Sequence, residues 1–168
     1  MKRAAGSLLA LALLAAAGPS SYDPARIAGR YNFRFMNGDV DGHTGWSDDI
    51  LEIVKLDPAR AYIRVETHFF NGHSCSIAGV AHAEGRALVY RDGKREDEER
   101  ECVLRVTETP SKILIRDNEG GCQMYCGSRG GWASTEFSKR SRRPITYMRL
   151  IRRSADYREA LAKDREKK

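Results

Sequence analysis

The stretch from Asn37 to Asp48, "NGDVDGHTGWSD", has oxygen-bearing side chains at the spacing of an EF-hand calcium loop. The candidate ligands are Asn37, Asp39, Asp41 and Asp48, and Gly42 stands where such a loop makes its sharp turn. An EF-hand loop lies between two helices, whereas the segments on either side of this one alternate like β-strands. The sequence therefore favours a solvated, acidic β-hairpin loop, and calcium binding through the four oxygen ligands is the alternative.

The four histidines of the chain invite a catalytic or metal-binding interpretation: His43, His68, His73 and His82. Glu66 and His68 fall on the same face of an alternating segment, so an enzyme that uses this pair is one alternative. Surface or hydrogen-bonded residues on a half-polar sheet are the favoured interpretation. No G-x-S-x-G, H-E-x-x-H or phosphate-loop motif occurs in the sequence. We therefore predict a non-enzymatic protein without catalytic residues or a cofactor.

The four cysteines all lie in the part of the chain that would remain after export: Cys75, Cys102, Cys122 and Cys126. An even number in an exported chain predicts two disulfides, for which three pairings are possible. The favoured pairing is Cys75–Cys102 with Cys122–Cys126. Cys75 and Cys102 would lie at the same end of their strands, far from a hairpin turn at Gly85. Zinc is a weaker alternative, because structural zinc usually draws on paired ligands at short spacing.

The loop 120–132 carries side chains of the types that anchor protein interfaces. Tyr125, Arg129 and Trp132 are the predicted partner contacts, because Tyr, Trp and Arg are enriched among the residues that dominate binding energy. A disulfide within this loop would make it rigid and so reduce the entropy lost on binding. The alternative is that the glycines of the loop serve tight turns and that Trp132 belongs to the core.

The first residues have the pattern of a signal peptide. A basic start, "MKR", precedes an uncharged apolar run from Ala4 to Ala17, which is too short to span a bilayer. Ala15 and Ala17 give the small-x-small pattern that a signal peptidase needs, which places cleavage near Ala17. We therefore expect residues 1–17 to be removed and the product to be periplasmic or secreted, without a transmembrane segment.

Most of the remaining chain alternates between apolar and polar residues, as β-strands do. In "GRYNFRFMNG" the aromatic residues Tyr31, Phe33 and Phe35 share one face. Hairpin turns are predicted near Gly85 and Pro110, and "WASTEF" and "PITYMRLI" are the predicted final strands. The sequence therefore predicts an all-β fold of eight or nine strands, an antiparallel barrel or sandwich. The barrel is favoured because its closure removes exposed strand edges.

The C-terminal extension differs from the rest of the chain in charge. The chain has a net charge of +6, and residues 139–168 alone contain 12 basic and 4 acidic residues. A short helix is predicted at about 154–166, which would either dock through Tyr157 and Leu161 or fray. We expect the extension to contact anionic surfaces of the cell envelope, or else to be a solvated cationic segment. No aromatic ladder accompanies the charges, so specific nucleic-acid binding is not predicted.

Three runs of the sequence carry a resemblance to known proteins: "FFNGHSCSIAGVAHAEGRALVYRD", "CVLRV" and "GGCQMYCGSRGG". They resemble a group of small exported bacterial proteins, most of them uncharacterised, and the β-rich segments that accompany lysozyme-inhibitor-like domains in envelope proteins. The resemblance covers about residues 27–140, and its most specific part is C-x3-C-G-x-R-G, from Cys122 to Gly130. It implies an exported, disulfide-bonded β domain, but no inhibitory residue set can be matched position by position.

Together these observations predict one domain, residues 18–138, followed by a basic extension, residues 139–168. The fold is expected to be a small antiparallel β-barrel, lipocalin-like or lysozyme-inhibitor-like, with a short C-terminal helix. The function is expected to be that of a non-enzymatic binding module whose candidate partner is a lysozyme. The alternatives are a carrier that holds small ligands inside the barrel and a calcium-binding β protein.

Overall fold

The fold is an antiparallel β-barrel, seen in a computed structural model that describes residues 22–93 and 100–166. The predicted signal peptide, residues 1–17, lies outside the described residues. Each strand pairs with the next one along the chain. The prediction of a small all-β barrel is therefore confirmed, with eight strands: β1 Gly29–Gly38, β2 Thr44–Lys55, β3 Arg60–His68, β4 Ser74–Glu84, β5 Ala87–Asp92, β6 Cys102–Glu108, β7 Lys112–Asp117 and β8 Glu136–Ser138.

The interior of the barrel is filled by the strands' own apolar side chains. Neighbouring strands align these residues in rows, as where Leu51, Val65 and Ile77 face one another across β2, β3 and β4. Each of these three side chains is at most 2% exposed, and burial of apolar area stabilises the fold by roughly 25 cal/mol per Å². Trp132 and Phe137 add large rings to the same cluster.

The barrel is closed by the chain that follows β8 rather than by β8 itself. Arg30 at the start of β1 exchanges two backbone hydrogen bonds with Arg143, at N···O distances of 2.9 and 2.8 Å. The Ser141 hydroxyl accepts a third bond from the backbone N–H of Asn32. Pro144 follows, and because proline has no N–H it cannot extend this ladder. Closure on this side therefore depends on residues 141–143 of the C-terminal extension.

Two helices follow the barrel: α1, Met148–Arg153, and α2, Ala155–Glu166. The prediction of a helix at about 154–166 is confirmed, whereas the prediction of a strand at "PITYMRLI" is wrong. Tyr147 and Ile151 are four residues apart, so the same apolar residues that alternate for a strand also share one face of a helix. Without a free ladder after Pro144, that helical face packs on the outside of the barrel.

The helices dock on an apolar stripe on the outer face of the sheet. Val54, Tyr62 and Val80 stand side by side on β2, β3 and β4 and form a second buried cluster with residues of both helices. The ring of Tyr157 meets that of Tyr62 edge-on, with 4.9 Å between centroids, and Leu161 packs against the same cluster. The helix therefore docks through the two residues that the sequence indicated.

The disulfides differ from the favoured pairing: the bonds are Cys75–Cys126 and Cys102–Cys122. Cys75 lies on β4 and Cys102 on β6, and β5 lies between these strands. Two strand spacings separate the Cα atoms by roughly 9.5 Å, beyond the ~7 Å that a disulfide can bridge. Instead, the loop after β7 folds back over the end of the barrel and brings both of its cysteines to the strands.

This loop approaches the barrel so closely that one glycine is required. A Cβ atom added at Gly130 would lie 2.8 Å from the Sγ atom of Cys75. All four cysteines are paired, as predicted, and none is free for zinc. The two disulfides indicate an oxidising, extracytoplasmic environment. Among the residues that the structure describes, no helix is both long and apolar enough to cross a membrane.

Candidate functional site

A two-stranded arm extends beyond the barrel at one end. The β1–β2 ladder runs from the pair Gly29–Ile53 to the pair Gly38–Thr44, whereas β2 begins to pair with β3 only at Ile50. Residues 33–38 and 44–49 are therefore paired with each other but not with β3. We call residues 33–49 the arm.

Large apolar side chains are exposed on and around the arm. Trp46 lies directly opposite Met36 in the ladder, and both side chains are more than half exposed. Exposed apolar groups that gather in one place mark an interaction surface. Of the six large apolar residues that are exposed in the described part of the chain, only Leu150 lies elsewhere. The other five lie on or beside the arm, and we call them together the arm surface: Phe33, Met36, Val40, Trp46 and Phe70. Met36 and Trp46 share one face of the ladder, and Phe33 lies on the other face.

The arm is held in place by the turn between β3 and β4. The side-chain amide of Asn37 donates to the hydroxyl of Ser47 at 3.1 Å and to the carbonyl of Phe69 at 3.0 Å. The backbone N–H of Val40 donates to the side chain of Asn71. These bonds fix the position of the arm relative to the β3–β4 turn.

The arm contains the stretch with calcium-loop spacing, and its geometry is that of a hairpin turn. Asp39 Oδ1 accepts the backbone N–H groups of Asp41 and His43, at 3.0 and 2.9 Å, and so caps the turn. Asp48 lies four residues into β2, opposite Arg34, which is roughly 13 Å along the strand from Thr44. The predicted set of Asn37, Asp39, Asp41 and Asp48 therefore cannot share one cation, and the hairpin interpretation is confirmed.

His43 takes the place of Asp48 near the other two carboxylates. Ligand atoms of Asp39, Asp41 and His43 lie within 4.8 Å of one another. Two of the three side chains are exposed, and Asp39 is already used by the backbone of the turn. This arrangement gives the arm a negative tip rather than an enclosed coordination site.

The three predicted partner contacts in the loop 120–132 have different environments. Trp132 is 1% exposed inside the barrel, so its prediction as a surface contact is wrong and the core alternative is right. Tyr125 is half-buried, and its hydroxyl donates to Asp92. Burial, together with this hydrogen bond, raises the pKa of Tyr125 well above its usual range. Arg129 is exposed and lies at the same end of the barrel as the arm.

Glu66 belongs to an ion-pair network on the outer face of β2 and β3. The His68 ring lies beside it, 3.9 Å from Glu66 Oε1, but among the described residues its buried Nδ1 atom has no hydrogen-bond partner. Arg64 donates to Glu66 at 2.8 Å and to the buried Glu52 at 3.4 Å. Tyr147, just before α1, donates its hydroxyl to Glu52. Burial and this bond raise the pKa of Tyr147 to about 12. The network joins two strands to the first helix, which is the hydrogen-bonded role that the sequence favoured for this face.

A groove of about 440 Å³ lies between α2 and strands β4 and β5. These two strands form only three residue pairs before they diverge. Tyr90 fills the gap, because its ring lies where a Cβ of Gly79 would be, 2.0 Å from Tyr90 Cε2. At the helix side of the groove, Asp164 accepts hydrogen bonds from Arg60 at 2.5 Å and meets His82 Nε2 at 2.7 Å. This cluster ties the last turns of α2 to the barrel.

We expect the interactions of Asp164 with Arg60 and His82, which attach α2 to the barrel, to weaken at low pH. Burial alone would raise the pKa of Asp164, but the hydrogen bonds from His82 and Arg60 outweigh it and lower the pKa. The stabilisation is therefore complete above the unfolded value of roughly 3.9 and is lost as the pH falls through the lower folded value. Asp164→Asn should cost about 1.5 kcal/mol in the free energy of unfolding at neutral pH and progressively less below about pH 4.

Urea denaturation at a series of pH values measures this difference. Glu166→Gln, an exposed change on the same helix, is the control and should shift the free energy of unfolding by less than about 0.5 kcal/mol. A cost of Asp164→Asn that stays constant down to about pH 3 would contradict the assignment, because the carboxyl group of the unfolded wild-type chain is mostly protonated there and this protonation favours unfolding.

Sequence reasoning missed the arm surface because alternation shows which residues share a face but not whether a neighbouring strand covers them. Phe33 was placed on an apolar strand face, and it is exposed because the neighbouring ladder ends before it. The sequence of β2 does contain a signal that its first half lies outside the core. Residues 44–49 contain no aliphatic side chain, whereas residues 50–54 are mostly aliphatic.

Comparison of the chain with family models, with curated proteins and with solved structures gave no match. The fold and disulfides by themselves define the class: a small, disulfide-bonded antiparallel β-barrel with an exposed aromatic arm at one end.

Proposed function

We propose that this protein is a periplasmic or secreted binding module that docks a basic protein through the arm surface. The observation that carries the proposal is the gathering of five of the six exposed large apolar residues, among those the structure describes, at one end of the barrel. An interface needs apolar anchors that can be fully desolvated, and Trp and Met are enriched among such residues.

Charge determines the kind of partner. Residues 33–49 contain four carboxylates and one arginine, so the surface around the anchors is acidic. A basic partner would be steered toward it and bound in a preferred orientation. Lysozyme is basic, and the resemblance of the chain points in the same direction. A lysozyme is therefore the first candidate.

Trp46 is the side chain on which binding should depend most. The guanidinium of Arg34 lies 5.0 Å from the centre of its ring, and this cation–π contact fixes the ring on the outer face of the arm. Phe70 extends the same face, because its ring lies 3.6 Å from the position of a Gly38 Cβ. Met36 and Trp46, opposite each other in the ladder, and Phe70 beside Gly38 are therefore the anchors that we propose a partner covers.

We expect Trp46→Ala to weaken binding of lysozyme by about 2 kcal/mol, or roughly thirtyfold in Kd, because a central aromatic anchor is lost. Leu150→Ala is the matched control: Leu150 is 66% exposed but lies on α1, away from the arm. Isothermal titration gives both affinities, and a turbidity assay shows whether binding blocks the lytic activity.

Two results would contradict the proposal in different ways. Undiminished lysis with no heat of binding at excess wild-type protein would remove lysozyme as the partner. Binding that is weakened equally by Trp46→Ala and Leu150→Ala would remove the arm surface as the contact.

A further inference from the structure

A second surface of the molecule carries charge of the opposite sign. The segment 139–153, "KRSRRPITYMRLIRR", contains seven basic residues and no acidic one. All six of its arginines and Leu150 are exposed, and the seventh basic residue, Lys139, is partly buried. We call the outward side of α1, formed by Arg149, Leu150, Arg152 and Arg153, the basic face.

The arginines of this segment lack carboxylate partners. Several basic residues elsewhere are paired, as Arg60 is with Asp164, Arg91 with Glu84 and Lys112 with Glu136. Within residues 22–93 and 100–166, none of the six arginines of the segment forms a salt bridge. Arg142 donates instead to backbone carbonyls, which orient the side chain without neutralising it. The positive charge is therefore available to an external anion.

The side chains of the basic face lie together because of helix geometry. Arg149, Arg152 and Arg153 are three and four residues apart, so they share one side of α1. Ile151 points the other way into the cluster with Val54 and Tyr62. The outward side therefore presents three guanidinium groups next to Leu150, which is 66% exposed.

This combination fits the surface of an anionic lipid bilayer. Lys and Arg clusters are attracted to phosphate-bearing headgroups, and each such residue strengthens attachment about fivefold. An apolar side chain among them can enter the boundary between headgroups and acyl chains. A soluble polyanion would use the arginines equally well but would leave Leu150 without a role.

We propose that the basic face binds the anionic surface of a membrane and presents the arm away from it. Arg143 pairs with Arg30 at the start of β1, and the arm lies at the far end of that strand. Ten residues of strand separate these ends by roughly 30 Å. Lipid binding stands independently of the proposed function, and only the purpose of the orientation rests on it.

The test is flotation of the mature chain with vesicles of phosphatidylcholine that contain phosphatidylglycerol, compared with vesicles of phosphatidylcholine alone. We expect binding to the anionic vesicles only, with an affinity that falls as salt is added. The triple variant Arg149→Gln, Arg152→Gln and Arg153→Gln should bind about a hundredfold more weakly, because three favourable contacts are lost. Leu150→Ser should weaken vesicle binding but not binding to a soluble polyanion.

The control variant removes the same charge from α2: Arg158→Gln, Lys163→Gln and Arg165→Gln. These residues are interspersed with Asp156, Glu159 and Glu166, so we expect less than a threefold change. Equal losses in the two triple variants would show that only net charge matters and would overturn the proposal. Failure of the wild-type chain to bind anionic vesicles would overturn it as well.

Trp46 reports the orientation. The chain has two tryptophans, and Trp132 is buried, so quenching by brominated lipids reports Trp46. We expect no quenching when the protein is bound to vesicles, and vesicle binding by Trp46→Ala should equal that of the wild type. Strong quenching would show that the arm enters the bilayer and would overturn the orientation. Because these measurements contain no protein partner, their failure is distinct from failure of the proposed function.

Discussion

Replacing both cysteines of the Cys75–Cys126 disulfide with alanine is expected to lower the free energy of unfolding by about 4 kcal/mol. The bond closes a loop of 51 residues, whereas Cys102–Cys122 closes one of 20. In the chain-entropy model the longer loop restricts the unfolded chain more, so the corresponding double variant of the second bond should cost about 3 kcal/mol. Urea denaturation of the two variants and the wild type measures both values.

Each double variant serves as the control for the other, because both remove one disulfide with buried sulfur atoms and differ in the length of the loop that the bond closes. Cys75, Cys102 and Cys122 are fully buried. A larger cost for Cys102→Ala with Cys122→Ala would contradict the loop-length argument. Peptide mapping of the oxidised protein checks the pairing itself, and a peptide that joins Cys75 to Cys102 would contradict the observed connectivity.

Arg64→Met is expected to lower the free energy of unfolding by about 3 kcal/mol. Glu52 is 2% exposed, and Arg64 is its nearest positive charge, at 3.4 Å. Removing the cation leaves a carboxylate in the space between β2, β3 and α1, and among the described residues only the Tyr147 hydroxyl then donates to it. The expected cost lies at the lower end of the range for a broken buried pair, because Arg64 itself is partly exposed.

Adding Glu52→Gln to Arg64→Met should recover most of the lost stability, because the buried charge is then gone while the Tyr147 hydroxyl keeps an acceptor. Arg105→Met, an exposed change on β6, should cost less than about 0.5 kcal/mol. Thermal and urea denaturation of the three variants test these values. If the double change is as unstable as Arg64→Met alone, the cost comes from lost packing of the arginine stem rather than from the stranded charge.

Much of the fold could be predicted from local patterns in the sequence. The hairpin turns near Gly85 and Pro110 occur where predicted, because short-range alternation and turn residues specify them. The C-terminal helix was also predicted at nearly its observed position. What sequence could not supply was the lateral order of elements: Cys75 and Cys102 were correctly placed at the same end of the strands, yet β5 separates them.

Only part of the candidate site could be predicted from the sequence, again because the sequence does not show how the strands are arranged beside one another. The acidic hairpin at Asp39 and Asp41 was identified from composition and turn residues alone. Whether Phe33 and Trp46 are covered depends on where β3 stops pairing with β2, which is a property of the assembled sheet. Trp132 shows the opposite error: it was predicted to be exposed and is buried. It is buried because the glycine-rich loop folds back over the end of the barrel.

Within the single eight-stranded sheet, the short seam between β4 and β5 separates strands β1–β4 from strands β5–β8. Three residue pairs join them along that seam, and on the opposite side they meet through Arg30 and Arg143. The Cys75–Cys126 bond links β4, on one side of this seam, to the loop that follows β7 on the other side. Oxidation therefore adds a covalent link between two parts of the barrel that few backbone pairs join directly, and this link requires an oxidising environment.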